Sequence, residues 1–398
     1  MDKIKKNFQK YIEKGICIGA EWKVNYKNNI YHDCIGYKDL QKKEKLSKNS
    51  TYRIWSMTKP IVSVAVMRLI EKKYLHLDDT IDKFLPSFKD IKILDDTKNI
   101  NNFYVSNSIP TIKQLLLHTA GFTYNSNNNV VAEEYEKRKI FHSGTTSLEE
   151  EIENISSIPL LFEPGNNWHY SVSIDVLARI LEVITKDKLI NILEENIFSP
   201  LEMKETNFYI NKNNNNNLVP TYEYSKDNLI LKDLSPAGRK LMNYSYPYKN
   251  KNFARGGHGL FSTANDYSKF SQMLINGKNT KGKKIISLDT LDKMRTNHIN
   301  LNLLPLEIIS VNTIKDENYI NDLEGYGWGL GFRVLMNRTK KNPHGNIGEF
   351  GWSGYAATYF MVDPINQLSA VLMMQIIDSD RILKQDFYDS IYKSIEEI

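Results

Sequence analysis

What this sequence has little of narrows its chemistry. Its 398 residues include two cysteines, Cys17 and Cys34. They fall on what read as two arms of a hairpin turning near Lys27-Asn28-Asn29, where they are not directly opposite each other. Two free thiols in a chain this long imply a reducing compartment. The stretch Met1 to Glu13 is charged and amphipathic, without the apolar segment of a signal peptide. No apolar run approaches the ~18 residues that a membrane span needs. A cytoplasmic chain that does not engage a membrane is therefore expected. No His-Glu-x-x-His pair and no cysteine-rich spacing supplies metal ligands, so neither a metal nor any other cofactor is expected. The net charge of +5 is spread along the chain, with no basic cluster interleaved with aromatics, which argues against a nucleic-acid partner. Gly277-Lys278-Asn279-Thr280-Lys281-Gly282-Lys283 comes close to a phosphate-binding loop. Lys284, however, stands where a hydroxyl would have to hold magnesium, and a helical pattern precedes the loop instead of a strand.

The composition that remains is that of a globular protein, 41% hydrophobic and 25% charged, and the length is enough to bury a sizeable core. Apolar spacing predicts an opening helix over Asp2 to Glu13 (Ile4, Phe8, Tyr11, Ile12). Strands are expected over Ile18 to Tyr26 and Ile30 to Tyr37. Helical patterns dominate the middle: Val62 to Lys72, Thr111 to His118, Ile174 to Thr185 and Ala264 to Ile275. The Asn-rich stretches Asn125 to Asn129 and Asn211 to Asn217 read as surface loops. Strand character returns at Tyr355 to Val362 and Leu368 to Gln375, joined by a turn at Asp363-Pro364, before a last helix from about Asp380 to Ile398. The expected fold is α+β, with an antiparallel sheet built from both chain ends, flanked by helices and carrying an inserted, mostly helical region. Residues 1–55 and 325–398 would form the sheet domain and 56–324 the helical one, with the active site at their interface.

One short segment carries nucleophile chemistry: Tyr52-Arg53-Ile54-Trp55-Ser56-Met57-Thr58-Lys59-Pro60, directly before a helix. A serine at a helix start meets free backbone N–H groups and the positive end of the helix dipole. A lysine three residues on lies one turn away on the same face, where its amine can reach the hydroxyl and desolvation favours its neutral, basic form. The spacing alone is common. An ordinary N-cap would look the same at Ser56, and Ser390-Ile391-Tyr392-Lys393 repeats the pattern in a charged terminal helix that reads as a solvated face.

The surroundings of Ser56 decide between these readings. Ile54 to Pro60, then Leu75-His76-Leu77-Asp78-Asp79, Phe84-Leu85-Pro86 and Leu115-Leu116-Leu117-His118-Thr119-Ala120-Gly121-Phe122 follow one another. Phe162-Glu163-Pro164-Gly165, Ile197-Phe198-Ser199-Pro200-Leu201-Glu202-Met203 and Gly256-Gly257-His258-Gly259-Leu260-Phe261-Ser262-Thr263 come next. In this order, and over nearly the whole chain, they resemble the family VIII carboxylesterases and the wider class C β-lactamase-like hydrolases. The resemblance implies a β-lactamase/transpeptidase-like fold and a Ser-x-x-Lys serine hydrolase with Ser56 as nucleophile and Lys59 as its activating partner.

The family's second motif is Tyr-x-Asn on a loop. Tyr26-Lys27-Asn28, Tyr209-Ile210-Asn211, Tyr248-Lys249-Asn250 and Tyr319-Ile320-Asn321 meet it by chance in this Asn-rich chain. The resemblance instead points to Tyr170, in Pro164-Gly165-Asn166-Asn167-Trp168-His169-Tyr170-Ser171-Val172, where a phenol beside an ammonium could shuttle a proton. Val172 replaces the Asn that holds substrate amides. The third motif, Lys-Thr-Gly in β-lactamases and often Trp-Gly-Gly in the esterases, corresponds to Trp352-Ser353-Gly354. Gly354 would let the backbone approach substrate, and the N–H groups of Tyr355 and Ser56 would form an oxyanion hole. His142-Ser143-Gly144 imitates this box but stands before Tyr170. His118 reads as structural, and His258, inside the glycine run, as able to touch substrate. No histidine sits in a triad context and no Gly-x-Ser-x-Gly elbow occurs. With Trp352 and Val172 presenting apolar surface in place of a cation and an amide, a small neutral ester is the expected substrate. A β-lactamase or peptidase acting on amides, or a catalytically silent binding protein on the same fold, are the alternatives. No oligomeric state follows from the sequence.

Overall fold

The structure is a computed structural model that describes residues 1–48, 50–140, 146–210, 217–225, 228–231, 254–309, 321–340, 342–377 and 382–397. Eight strands form its main sheet: β1 (Gly19–Tyr26), β2 (Asn29–Asp39), β3 (Glu44–Lys45), β4 (Tyr326–Trp328), β5 (Arg333–Leu335), β6 (Phe350–Ser353), β7 (Tyr359–Asp363) and β8 (Leu368–Met373). Their order is β4-β5-β6-β7-β8-β1-β2-β3, with every neighbouring pair antiparallel. The two parts of the chain meet inside the sheet, where Glu21 lies opposite Met373 and Tyr26 opposite Leu368.

Both faces of β7 and β8 are buried, and their residues are apolar apart from Asp363 and Ser369, whereas β2 and β3 at the sheet edge carry polar and partly exposed residues. Five helices matter here: α1 (Asp2–Glu13), α2 (Thr58–Glu71), α3 (Ser173–Thr185), α4 (Ala264–Asn276) and α5 (Ile382–Ile395). Ala20, Trp22 and Val24 of β1 and Ala370 and Leu372 of β8 point toward α1 and α5, packing with Ile4, Phe8, Leu383, Phe387 and Ile391. The alternate residues face the rest of the molecule: Phe360 packs at a tilt against Tyr267 of α4 at 5.1 Å, and Asn25 donates to Ser268 at 2.8 Å. The sheet layer therefore recruits α4 from the middle of the chain. Helix α2 is buried on almost every face, from Thr58 to Met67.

Local signals explain most boundaries. The Thr263 side chain caps α4 by accepting from Asp266 N–H, and Gly277 ends it in the left-handed region at φ 76°. Asp363 Oδ1 accepts the N–H groups of Ile365 and Asn366 at 3.1 and 3.2 Å, an Asx turn that closes the β7–β8 hairpin. One expected strand is corrected. Tyr355 to Val362 is not continuous, because residues 354–358 form a turn and β7 begins at Tyr359, while Trp352 and Ser353 lie on β6. Gly354 N–H donates to Thr358 O at 2.8 Å and closes that turn. Both cysteines are free, Cys17 buried and Cys34 opposite Glu21. Among the described residues no helix is long and apolar enough to cross a membrane.

Candidate active site

Ser56 sits on a single 3-10 turn, Trp55–Met57, that runs into α2. Two sequence-distant segments hold this turn. Tyr52 and Arg53 pair with Ser262 and Phe261, and Ile54 N–H donates to Leu260 O at 3.1 Å. Leu260 N–H in turn donates to Thr58 Oγ1 at 3.1 Å, and Tyr267 O–H to Met57 O at 2.8 Å. Trp55, just before the serine, is held at φ 47°, a conformation uncommon for a bulky side chain and kept only where surroundings enforce it. The helix-flanking residue of α2 is Met57, which makes no side-chain cap. The Ser56 hydroxyl instead accepts from Lys59 Nζ at 3.2 Å, so it is not the ordinary cap its position allowed.

Lys59 is 1% exposed, whereas Ser56 remains partly open. Its amine donates to Gly257 O at 2.6 Å and lies 4.7 and 5.1 Å from the ring centres of Tyr170 and Tyr124. Burial lowers its pKa to about 7, against the opposing pull of the Asp175 carboxylate. A lysine in this condition can both take and return a proton near neutrality.

Tyr170 stands on the loop before α3, in an aromatic box. His118, Trp352 and Tyr124 lie 4.7, 5.2 and 5.7 Å from its ring centre, and Trp352 Nε1–H donates to its hydroxyl oxygen at 3.1 Å. Trp352 is only 4% exposed and Val172 is fully buried. Trp352 is thus engaged by Tyr170, and Val172 packs in the core. His118 is buried, and burial followed by the Lys59 charge holds its imidazole well below the usual range. Its carbonyl accepts His169 N–H at 2.9 Å and its Nδ1 accepts Ser171 N–H at 3.3 Å, fixing the backbone on both sides of Tyr170.

Gly354 does approach a backbone closely, but that of the serine turn. A β-carbon there would lie 2.5 Å from Ile54 O and 2.1 Å from Thr358 Oγ1. Tyr355 follows, with its ring edge-on to Trp55 at 5.5 Å and 44% of its surface exposed, so the turn after Ser353 borders the serine. His258 is buried at 4% exposure, leaving its ring little surface to offer a ligand, and burial holds it neutral. Ser56, Lys59, Tyr170 and Trp352 are thus linked by direct contacts, with Gly354 and Tyr355 packed on the serine turn.

Sequence reasoning missed Gly257 O, Tyr124 and Asp175. Asp175, on α3, accepts Gly257 N–H at 3.0 Å. The second Ser-x-x-Lys pair is corrected in turn. Ser390 is buried and accepts from Asn7 at 3.0 Å, while Lys393 is exposed beside a cleft of about 190 Å³ that Lys3, Lys6 and Lys10 also line. That cleft shares no residue with the Ser56 site. Arg255 pairs with Glu151 at 3.1 Å and Arg333 donates to Tyr359 at 3.0 Å, both buried. His142-Ser143-Gly144, most of the Asn211 to Asn217 loop and the Tyr248-Lys249-Asn250 copy lie outside the described residues, as do Asn211, Tyr319 and Ile320 of the other copies. Among the described residues no cluster of His, Cys, Asp and Glu is arranged to hold a metal ion.

Comparison with known proteins bears on this arrangement. A family model described as Beta-lactamase matches residues 4–389. Protein Rv1367c of Mycobacterium tuberculosis is 26% identical over 349 residues, spanning 86% of this chain and 81% of its own. Esterase EstB of Burkholderia gladioli is 24% identical over 357 residues, spanning 86% and 82%. Among solved structures, EstCE1, described as a hydrolase with promiscuous acyltransferase activity, superposes with a TM-score of 0.82 at 23% identity, covering 98% of both chains. Simvastatin synthase (LovD) from Aspergillus terreus gives 0.80 at 20% identity, covering 99% of this chain and 98% of its own. The fold is that of the β-lactamases and transpeptidases.

Proposed function

The chain belongs to the β-lactamase family, and within it we propose a serine hydrolase that cleaves carboxylic esters through an acyl-Ser56 intermediate. The observation that carries this reading is the Lys59 amine, buried, poised near neutrality and 3.2 Å from the Ser56 hydroxyl. Lys59 takes the Ser56 proton as Oγ bonds to the ester carbon. The N–H groups of Ser56 and Tyr355 meet the resulting oxyanion. Collapse breaks the bond to the alkoxide, which leaves with a proton passed from Lys59 by way of Tyr170. Water, losing its proton to the same pair, then bonds to the acyl carbon, and the bond to Ser56 Oγ breaks as that proton passes to Oγ, releasing the acid. Ser353 borders the substrate on β6. The reaction takes a small-molecule ester and needs no cofactor, and the two free thiols support a reducing, cytoplasmic setting.

The ester preference rests on charge. The lysine that would hold a β-lactam's carboxylate is replaced by Trp352, and Arg255 and Arg333 are engaged by Glu151 and Tyr359. Desolvating an anion without a cation is unfavourable by roughly several kcal/mol. The test is a panel of p-nitrophenyl esters and a chromogenic cephalosporin, run on wild type and Ser56→Ala. Expected is kcat/KM for the acetate or butyrate well above that for the cephalosporin, with ester turnover abolished in the variant. Wild-type-like turnover by Ser56→Ala would remove Ser56 as nucleophile, and efficient cephalosporin hydrolysis would favour the amide reading. A chain that neither turns over esters nor takes up a fluorophosphonate probe would be a binding protein.

A further inference from the structure

We propose that Asp175 is the third member of a Ser56–Lys59–Asp175 relay, a positioning residue that holds the Lys59 amine against Ser56 through the Gly257 backbone and stabilises the ammonium formed on proton uptake. The inference rests on the reading of Ser56 and Lys59 as nucleophile and base, and extends it to a residue that touches neither substrate nor serine.

Three observations converge on Asp175. First, it is fully buried on α3, among the buried side chains of Ile174, Val176, Leu177 and Ala178. A buried carboxylate is costly unless its charge is compensated. Second, its Oδ1 accepts Gly257 N–H at 3.0 Å, and the same residue's carbonyl accepts from Lys59 Nζ at 2.6 Å. Gly257 thus bridges the carboxylate and the amine through the two peptide groups that flank its α-carbon, the N–H of one and the carbonyl of the next. Third, Oδ2 has no hydrogen-bond partner among the described residues, although it is buried. A β-carbon on Gly257 would lie 2.3 Å from that oxygen and 2.8 Å from Tyr124 O–H, so the oxygen lies in the packed space where Gly257 and Tyr124 meet. A carboxylate kept in such a place without direct pairing is explained by the cation that forms beside it during the reaction. The arrangement follows the general pattern in which a nucleophile's base is oriented by a third, charged group.

The packing around this pair is built for it. Gly256 and Gly257 lie directly on α3, where a β-carbon on Gly256 would come within 2.5 Å of Ile174 O and 2.6 Å of Ala178. The glycine run can therefore seat its backbone between Asp175 and Lys59 only without side chains. The groups around the amine are Tyr170, His118 and His169 from the loops before α3, Tyr124, Asp175 on α3, and His258 and Arg255 from the glycine run, with Glu151 paired to Arg255. The three histidines are held low by burial and stay neutral, and Arg255 is matched by Glu151. Asp175 opposes the effect of burial on Lys59, and Lys59 opposes it on Asp175.

Asp175→Asn tests this, since the amide oxygen still accepts from Gly257 while the charge is gone. The readouts are the pH dependence of fluorophosphonate labelling at Ser56 and of kcat/KM for p-nitrophenyl butyrate, with wild type and Ser56→Ala run alongside. Without the carboxylate the ammonium is less stable, so the acid limb is expected to move to lower pH by about one unit or more. The plateau kcat is expected to fall on the order of tenfold or more, with KM nearly unchanged. An acid limb superimposed on that of wild type would overturn the proposal while leaving Ser56 and Lys59 in place. Absence of labelling in wild type would overturn the underlying reading, and this inference with it. If Asp175→Asn does not fold, carbon-detected NMR of wild type labelled at lysine Cε and aspartate Cγ supplies the answer. A titration step shared by Lys59 and Asp175 supports the relay, and independent titrations overturn it.

Discussion

Ser56 is partly open to solvent while Lys59 beside it is sealed in, and that contrast sets the pH range of the chemistry. Burial lowers the Lys59 pKa from 10.5 to about 7. Only the neutral amine accepts the serine proton, so kcat/KM is expected to fall about tenfold per pH unit below that value and to level off above it. A pH–rate profile with p-nitrophenyl butyrate checks this, and a flat profile down to pH 5 would remove Lys59 as base. Tyr170 shares the same proton path through its contact with Lys59 and its hydrogen bond from Trp352. Lys59→Ala and Tyr170→Phe are each expected to cut turnover by on the order of a hundredfold. The double variant is expected to lose far less than the product of the two, because residues that act as a unit are not additive. A product of losses, measured in a double-mutant cycle, would separate the two roles.

Among the elements, the turn over residues 354–358 and α5 carry the sharpest expectations. A side chain at Gly354 meets the Ile54 carbonyl and Thr358, so Gly354→Ala is expected to push the serine turn and β6 apart. The cost is about 1 to 3 kcal/mol in urea unfolding, with a larger loss in kcat than in KM. Ser390→Ala is expected to cost about 1 kcal/mol through its lost bond to Asn7, with ester turnover unchanged, and Lys393→Ala to alter neither. A large activity loss in either would mean that the working Ser-x-x-Lys pair had been misplaced. These elements also show where sequence reading succeeds. Helices α1, α3 and α4 announce themselves by apolar spacing and, for α4, by Thr263 and Gly277 at its ends, all of them local signals. Tyr355 to Thr358 has strand composition yet turns, because Thr358 Oγ1 bonds to Ile54 O, about three hundred residues away in sequence. Asp175 was invisible for the same reason: within its helix it looks like one polar residue in an amphipathic pattern, and its partner is a backbone amide in another segment. Ser390 looked solvated because its neighbours are charged, although α1 covers it.

On the scale of the whole molecule, the far end of the sheet is held by a buried polar cluster that the site does not use. Glu349, fully buried just before β6, is reached by Tyr326 O–H at 3.5 Å and Tyr392 O–H at 3.3 Å, with Arg333 stacked over Tyr326. Burial pushes its pKa from 4.5 up to about 7, despite Arg333. Between those values the folded chain keeps a proton that the unfolded chain releases, so this group's contribution to stability declines as pH rises from about 4.5 to about 7 and is constant above. Glu349→Gln is expected to stabilise the fold at pH 8 by on the order of a few kcal/mol, with the gain absent at pH 4.5. A thermal-melt series that shows the same Tm difference at both pH values would contradict it.

The seam between β1 and β8 has a consequence for synthesis. Tyr26 and Leu368 are neighbours in the sheet but roughly 340 residues apart in sequence, which at usual translation rates separates their appearance by roughly 20 to 70 s. Throughout that interval the β1–β2 hairpin has left the ribosome with an apolar edge and no strand to cover it. The serine and its lysine are by then long made, yet Trp352 and the turn that borders the serine have not emerged. A nascent chain is therefore both exposed to chaperones and unarmed until its last strands arrive.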